Sequence, residues 1–317
     1  MTLLNWLTQI LEVLAALLAA PLFVGWVNQC RAWLQNKSAP SVLLPYRNLR
    51  KLFHKEAVLA NNASPFFRLA PYVVFGAMVC AAAIIPTLGT RLPFSNAADA
   101  IALVGLFATA RVFMSLAAFD VGTAFGTLGA RREMLVGFLA EPALLMVIFL
   151  ASLISTSTAL PTISESLATR ALGLYPSFAF TGVAFALVLL AENARIPVDN
   201  PATHLELTMI HEAMLLEYSA RHLALMEWSA ALKLFNYACI GFALFLLWGV
   251  ATGDAPTPLT LLAAIPILAF KLLAAGGLLA LVETVSAKLR IFRAPEFLAT
   301  AFLFAVLGLL VHLLLGA

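Results

Sequence analysis

Residues 3–27 read LLNWLTQILEVLAALLAAPLFVGWV, with Glu12 as the one charged side chain in the run. An α-helix needs about 20 apolar residues to cross the hydrocarbon of a bilayer, and this run is long enough. It has neither a basic leader nor a small-residue cleavage site, so it is expected to persist as a first membrane helix and not to be removed as a signal peptide. Similar runs recur at 70–88, 98–119, 134–155, 172–191, 229–250, 259–280 and 297–315. The predicted fold class is therefore all-α: a polytopic membrane protein of about eight transmembrane helices, with amphipathic and loop helices on the cytoplasmic side. Residues 1–317 form a single membrane domain, with a cytoplasmic loop at 29–69 and an acidic one at 192–228.

Composition agrees with that reading. Hydrophobic residues make up 62% of the chain and charged residues 11%, against roughly a quarter charged in a soluble domain. The three cysteines, Cys30, Cys80 and Cys239, are isolated and form no spacing that suits zinc or an iron–sulfur cluster. No cofactor is expected on this chain. The net charge of +3 argues for nothing by itself; lipid is the expected surrounding, and no nucleic-acid partner is expected.

The distribution of charge says more than its sum. The first loop carries Arg31, Lys37, Arg47, Arg50, Lys51, Lys55 and Arg68, the third Arg131 and Arg132, the fifth Arg195 and Arg221, and the seventh Lys288, Arg290 and Arg293. The second, fourth and sixth loops together hold Arg91 and Arg170. By the positive-inside rule the odd loops are cytoplasmic and both termini lie on the opposite side. Within the first loop, residues 46–59 place Leu49, Leu52, Phe53 and Leu59 against Arg47, Arg50, Lys51 and Lys55, the two-sided pattern of a helix at the headgroup level. Such a helix either fixes orientation or serves as a docking ledge. Neither an internal repeat nor an inverted pair of broken helices is visible, which argues against a secondary transporter.

Several charges fall inside the predicted spans or at their ends: Arg111, Glu141, Lys233, Lys271 and Glu283. Each costs roughly 2.5–3.5 kcal/mol at the bilayer centre on insertion scales, so each needs a partner, water or a function. One by one they read as structural ion pairs between helices; as a set of mixed sign they read as a buried polar path. Lysine and glutamate are able to exchange protons there, whereas Arg111 is a fixed counter-charge.

The fifth loop, ENARIPVDNPATHLELTMIHEAMLLEYSARHLALMEW at 192–228, is the most informative segment. Pro197 and Pro201 break the preceding helix, and Asn200 or the Thr203 and Glu206 pair then has the spacing of a cap for a new one. That helix is predicted to carry His211, Glu212 and Glu217, with Arg221 at i+4 from Glu217, where an ion pair would form. Glu192, Asp199, Glu206, Glu212, Glu217 and Glu227 put six carboxylates against Arg195 and Arg221, the composition of an acidic funnel.

The segment resembles the signature of the complex I subunit 1 family of NADH dehydrogenases. The resemblance rests on Glu192, Asn193, Arg195, Pro197 and Asp199, then Glu206, then Glu217-Tyr218-Ser219. Pro45-Tyr46-Arg47 in the first loop, Gly129-Ala130-Arg131-Arg132-Glu133-Met134, Glu141-Pro142 and Ala287-Lys288-Leu289-Arg290 are similar to the family's hydrogenase branch. That branch comprises the membrane subunits of formate hydrogenlyase, hydrogenase-4 and energy-converting group 4 nickel–iron hydrogenases. In quinone-reducing members two further glutamates stand where this chain has Ala202 and His204, and this departure favours the hydrogenase branch.

The resemblance implies an eight-helix subunit of a prokaryotic inner membrane that anchors a cytoplasmic redox arm and couples it to antiporter-like membrane subunits. It implies an iron–sulfur small subunit and a hydrogenase-like large subunit as partners, with iron–sulfur clusters and a nickel–iron site on those chains. The residues expected on a proton or sodium path are Glu141, Glu192, Asp199, Glu206, Glu212, Glu217, Lys271 and Glu283, with Arg111, Arg195, Arg221 and Lys233 as charge partners. Docking is expected at Pro45, Tyr46, Arg47, Arg131, Arg132, Arg290 and Arg293. Catalytic residues in the bond-breaking sense and metal ligands are not expected.

Three rival readings remain open from sequence. The chain is readable as the quinone-site subunit of an NADH:quinone oxidoreductase, with a cavity between the first and fifth loops lined by Trp26, Trp33, Tyr46, Phe53, Phe66 and Phe67. It is also readable as an independent ion carrier. His204 and His211 are seven apart and suggest a metal pair, but Leu215 stands where a His-Glu-x-x-His motif requires its second histidine.

Overall fold

The computed structural model describes residues 3–60, 62–90, 92–96, 99–169, 176–199, 209–251, 258–287, 289 and 293–315. Among them the elements are all helical: α1 (Leu3–Leu34), α2 (Leu44–Phe53), α3 (Pro65–Ile84), a 3-10 turn at Pro93–Asn96, α4 (Ala100–Val121), α5 (Ala124–Ser155), α6 (Leu160–Thr169), α7 (Pro176–Glu192), α8 (His211–Leu215), α9 (Ala220–Phe245), α10 (Pro258–Val285) and α11 (Ala294–Leu315). Seven are long and apolar enough to cross a bilayer, and α7, with 17 residues, is a shorter apolar helix. The helices answer one by one to the eight predicted runs.

Their ends do not coincide with the hydropathy windows, and the reason is chemical. Thr123 accepts from the Gly126 amide and starts α5 ten residues before the apolar run begins, because Arg131, Arg132 and Glu133 dilute hydropathy without breaking a helix. Helix α9 likewise starts at Ala220 and ends at Phe245. Ser64 caps α3 through the Phe66 amide and Asp99 caps α4 through Ala102, the oxygen-to-amide contacts that satisfy orphan donors at helix starts. Gly122, with φ +71°, ends α4 in the left-handed region. Only Gly122 and Thr123 separate α4 from α5, which makes the two a tight helical hairpin.

Helix α9 is the most buried of the long helices and packs on α3, α1 and α2. Helix α3 packs on α4 and α4 on α5, α11 packs on α7 and α5, and α10 leans on α1. Outward faces are apolar: Leu18, Phe138, Leu262, Leu278 and Leu303 are exposed, as a lipid-facing surface requires. Backbone contacts join Thr90 and Leu88 to Ala251, and Ala100 to Thr158, at the face where α1 begins and α11 ends. The opposite face gathers the basic loops: Ser64 bonds Asp120, Asn62 bonds the Val121 carbonyl, and Leu289 bonds the Pro197 carbonyl. The two are the terminal face and the loop face of the bundle.

Two local expectations are corrected. The amphipathic helix of the first loop covers 44–53 and stops at His54; Leu49 and Leu52 pack against Ala224, Leu223 and Trp228, while Arg47, Arg50 and Lys51 stay exposed. The predicted ion pair of Glu217 with Arg221 is absent among the described residues, because α8 ends at Leu215 and α9 begins at Ala220, so the two residues do not share a helix. The helix α6 in the fourth loop had no signal in the apolar runs.

Candidate functional site

The site begins with a residue that lipid would not tolerate alone. Arg111, on α4, is 5% exposed and is surrounded by acids from two other helices. It donates to Glu141 on α5 and to both carboxylate oxygens of Glu192 at the end of α7. Its Nε faces Glu133 of α5 at 3.4 Å. Lys233 on α9 reaches the second oxygen of Glu192 at 2.9 Å, and Nδ1 of His211 on α8 lies 3.4 Å from the other oxygen of Glu133. Five helices thus contribute to one buried ionic cluster.

Helical spacing explains how α5 serves it. Positions 133, 137 and 141 are successive i+4 steps and lie on one face, so Glu133 and Glu141 flank Gly137. The guanidinium of Arg111 lies directly over that glycine: a Cβ there would stand 2.7 Å from its Cδ and 2.8 Å from its Cζ, well inside contact distance. Gly137→Ala is therefore expected to push Arg111 out from between the two glutamates, with loss of the buried pair costing about 3–5 kcal/mol. A fall in melting temperature and in membrane-integrated protein, with Gly105→Ala as a control where a Cβ meets open space, checks this.

The loop face supplies an approach. A cavity of about 440 Å3 opens among Pro21, Val24 and Asn28 of α1, Pro45 and Leu49 of α2, and Arg195, Asp199, His211, Glu212 and Glu227. His211 also lines a smaller space of about 30 Å3 beside Arg111, Met114, Ser229 and Lys233, so it stands between the cavity and the cluster. Asp199, 3% exposed, accepts from the amides of Ile210 and His211 at 3.2 and 3.4 Å and sets the first turn of α8. At the same face Glu283 takes Arg195 at 3.1 Å and Arg31 at 3.5 Å.

The aromatics expected around a quinone are employed elsewhere. Trp26 packs edge-on against Trp33 and donates to the Leu273 carbonyl, Phe53 meets Trp228, Phe66 stacks on Phe113, and Phe67 stacks on Tyr218 at 4.0 Å. None of the six lines the 440 Å3 cavity; Tyr46 instead bonds the Leu18 carbonyl. Tyr218 donates to the Phe67 carbonyl at 3.2 Å, and burial pushes its phenol above the ordinary value, which keeps that donor protonated. With Ser219 on both Val58 backbone groups, at 2.9 and 2.6 Å, it ties the fifth loop to the first.

The remaining named residues fall outside the cluster. Lys271 donates to the Leu246 carbonyl at 2.6 Å and lies 4.8 Å from the Trp248 ring, with no acid in ion-pair reach among the described residues. Glu217 is partly exposed and Arg221 exposed. Arg132 bonds the Met209 carbonyl at 3.0 Å, Arg131 and Arg293 are exposed, and Pro45 lines the cavity. Glu206, Arg290, His204 and the capping residues Asn200 and Thr203 lie outside the described residues. Glu133 and His211 are the two cluster members that sequence reasoning left without a path role. Glu133 sits one position ahead of the apolar run, where hydropathy files it as loop. His211 is placed by a contact to Asp199 that no local pattern signals.

Fold and site together define a multi-pass membrane protein that buries an ionic network beneath a loop-rich face. The sequence profile of the NADH dehydrogenase family matches residues 8–314, and the chain belongs to that family. It is 31% identical to formate hydrogenlyase subunit 4 of Escherichia coli (strain K12), over 94% of this chain and 96% of that protein. It is 34% identical to hydrogenase-4 component C of the same organism, over 76% of this chain and 75% of that protein. Among solved structures, a chain of the membrane-bound sulfane sulfur reductase, an archaeal respiratory membrane complex, shares the fold with a TM-score of 0.82 at 18% identity, covering 96% of this chain and 98% of that one.

Proposed function

We propose that the chain is the membrane subunit of a hydrogenase-type complex and that its buried cluster carries protons between a redox arm on the loop face and neighbouring membrane subunits. The observation that carries this reading is a charge count. Glu133, Glu141 and Glu192 supply three negative charges, Arg111 and Lys233 two positive ones. One negative charge is left over. Burying an uncompensated charge costs several kcal/mol, so the cluster is balanced when it holds one proton, on a glutamate or on His211. A site balanced by one exchangeable proton is what a carrier needs.

The cavity at the loop face provides the supply. Water there meets His211, and His211 meets Glu133; from Glu133 the network leads through Arg111 to Glu192 and Glu141. Glu141 is the most accessible of the three acids, its side chain 32% exposed on the bundle's flank, which suits hand-over to an adjoining subunit. Charge change at the redox arm shifts where the proton is held, because the three acids share Arg111 as their counter-charge.

In this reading the loop face is cytoplasmic in a prokaryotic inner membrane. Pro45, Arg47, Arg131 and Arg293 belong to the surface that meets an iron–sulfur small subunit and a hydrogenase-like large subunit, which hold the iron–sulfur clusters and the nickel–iron site. Antiporter-like subunits take the flank. Arg195, Asp199, His211, Glu212 and Glu227 stand on the wall of the 440 Å3 cavity beside aliphatic groups, and its described lining holds no Phe, Tyr or Trp ring to stack a quinone, which favours water. The deciding experiment is Glu141→Gln in the assembled complex, with hydrogen turnover and proton movement into sealed vesicles measured together. Turnover is expected to persist while proton movement is lost; undiminished proton movement would refute the reading.

A further inference from the structure

Glu12 is a second buried carboxyl that the cluster does not use. It lies on α1, 1% exposed, and no cation is within ion-pair distance of it among the described residues. One of its oxygens accepts from the amides of Leu88 and Gly89, both at 2.8 Å; the other is buried without a well-formed hydrogen bond. The hydroxyls of Thr87 and Thr90, on either side of those amides, are also buried; that of Thr87 is turned toward the Glu12 carboxyl, and neither makes a well-formed hydrogen bond. Polar atoms in this condition are uncommon, and ordered water is the usual partner. Thr87 lines a cavity of about 10 Å3 shared with Cys239 and Lys271, the size of about one water.

A line of polar groups runs from there to the ionic cluster along α9. Lys233, Asn236 and Cys239 are i+3 steps on a common side of that helix. Cys239 is about 9 Å nearer the terminal face than Lys233, at 1.5 Å rise per residue. Asn236, 1% exposed, donates to the Met78 carbonyl at 3.0 Å and keeps an unpartnered carbonyl oxygen in the dry interior. Beyond Glu12 a backbone clasp closes the end: the Ala251 amide donates to the Leu88 carbonyl at 2.8 Å, and the Thr90 amide to the Ala251 carbonyl at 3.3 Å.

We propose that Glu12 is a proton outlet of this chain at the terminal face, served by the one-water cavity that Thr87 shares with Cys239 and Lys271 and reached from the Glu192 cluster along the polar side of α9. The transfer conserves charge and needs no electron: Glu12 gives its carboxyl proton to water beyond Thr90, and the carboxylate takes another from the water at Thr87. Among the described residues, the Cys239 thiol and the Thr87 hydroxyl beside it are neutral, and the Lys271 ammonium lies on the small cavity that those two line. The same ammonium argues against a metal cation as occupant, as do the two amides that already point at the carboxyl.

The proposal rests on the coupling reading, and the test separates the two. The intact complex in sealed vesicles is driven by its redox reaction while proton release at the terminal face is followed, and infrared difference spectra report carboxyl protonation. Glu12→Gln keeps the acceptor for both amides and removes the exchangeable proton. It is expected to lose a carboxyl signal and the share of the release that leaves through this chain, with hydrogen turnover and assembly retained, and Glu12→Asp is expected to restore part of both. Thr87→Val, which removes a hydroxyl at constant shape, is expected to slow release and decides the matter if the glutamine variant fails to assemble. Undiminished release in Glu12→Gln, alongside loss in Glu192→Gln, overturns the outlet and leaves the coupling reading standing. Undiminished release in both overturns both. Release that depends on sodium ions overturns the outlet as a proton device.

Discussion

Arg111→Met is expected to leave little of this subunit in the membrane. Arg111 is the hub of the cluster, and without it Lys233 alone faces Glu133, Glu141 and Glu192. Before any proton is bound, two negative charges are then uncompensated in a site whose members Glu133 and Glu192 are 4% and 2% exposed. Removing one partner from a buried ion pair costs about 3–5 kcal/mol, a large share of the ~5–15 kcal/mol by which domains are stable. The measurement is the amount of subunit in washed membranes and its melting temperature in detergent. The double variant Arg111→Met with Glu192→Gln removes one of the two excess charges and is expected to recover part of the loss. An additive result would show that the pair is not coupled as its contacts require.

Glu192→Gln is the complementary case, and its expected effect is on transport and not on stability. Glutamine keeps the shape and one acceptor oxygen for Arg111 and Lys233. With Glu133 and Glu141 the count is then two against two, and the cluster is neutral with no proton bound. Assembly near the wild-type level is expected. Proton movement is expected to fall by roughly a hundredfold, the lower end of what a positioned proton-transfer group contributes, while hydrogen turnover continues. Proton movement in vesicles against hydrogen evolved gives the ratio directly, and an unchanged ratio would remove Glu192 from the route.

Much of this is legible in the sequence because lipid is an unforgiving solvent. Each long helix shows itself as an apolar run, and Arg111, Glu141 and Lys233 stand out as charges that a span cannot carry without a reason. What the pattern along the chain does not contain is which helices become neighbours. Lys271 and Glu283 are equally conspicuous, yet α10 leans on α1 and not on α5. Lys271 therefore ends on a backbone carbonyl and aromatic rings, and Glu283 on Arg195 and Arg31. Glu133 is hidden for the opposite reason: its helix extends past the apolar run, so a residue that hydropathy places in a loop is carried to the centre of the cluster. His211 depends on Asp199 twelve residues earlier, and Glu217 misleads because residues 216–219 interrupt the helix on which its pairing with Arg221 depends.

The two-residue join at Gly122 and Thr123 has a consequence for biogenesis. A lone Arg111 helix would be a poor candidate for release from the translocation machinery into lipid. Its successor follows so closely that α4 and α5 emerge as a unit, with Glu133 and Glu141 beside the arginine before either helix meets the bilayer. The opposite charges travel together during synthesis, and a flexible spacer inserted at residue 122 would expose the nascent chain to quality control before Glu192 and Lys233 had been made.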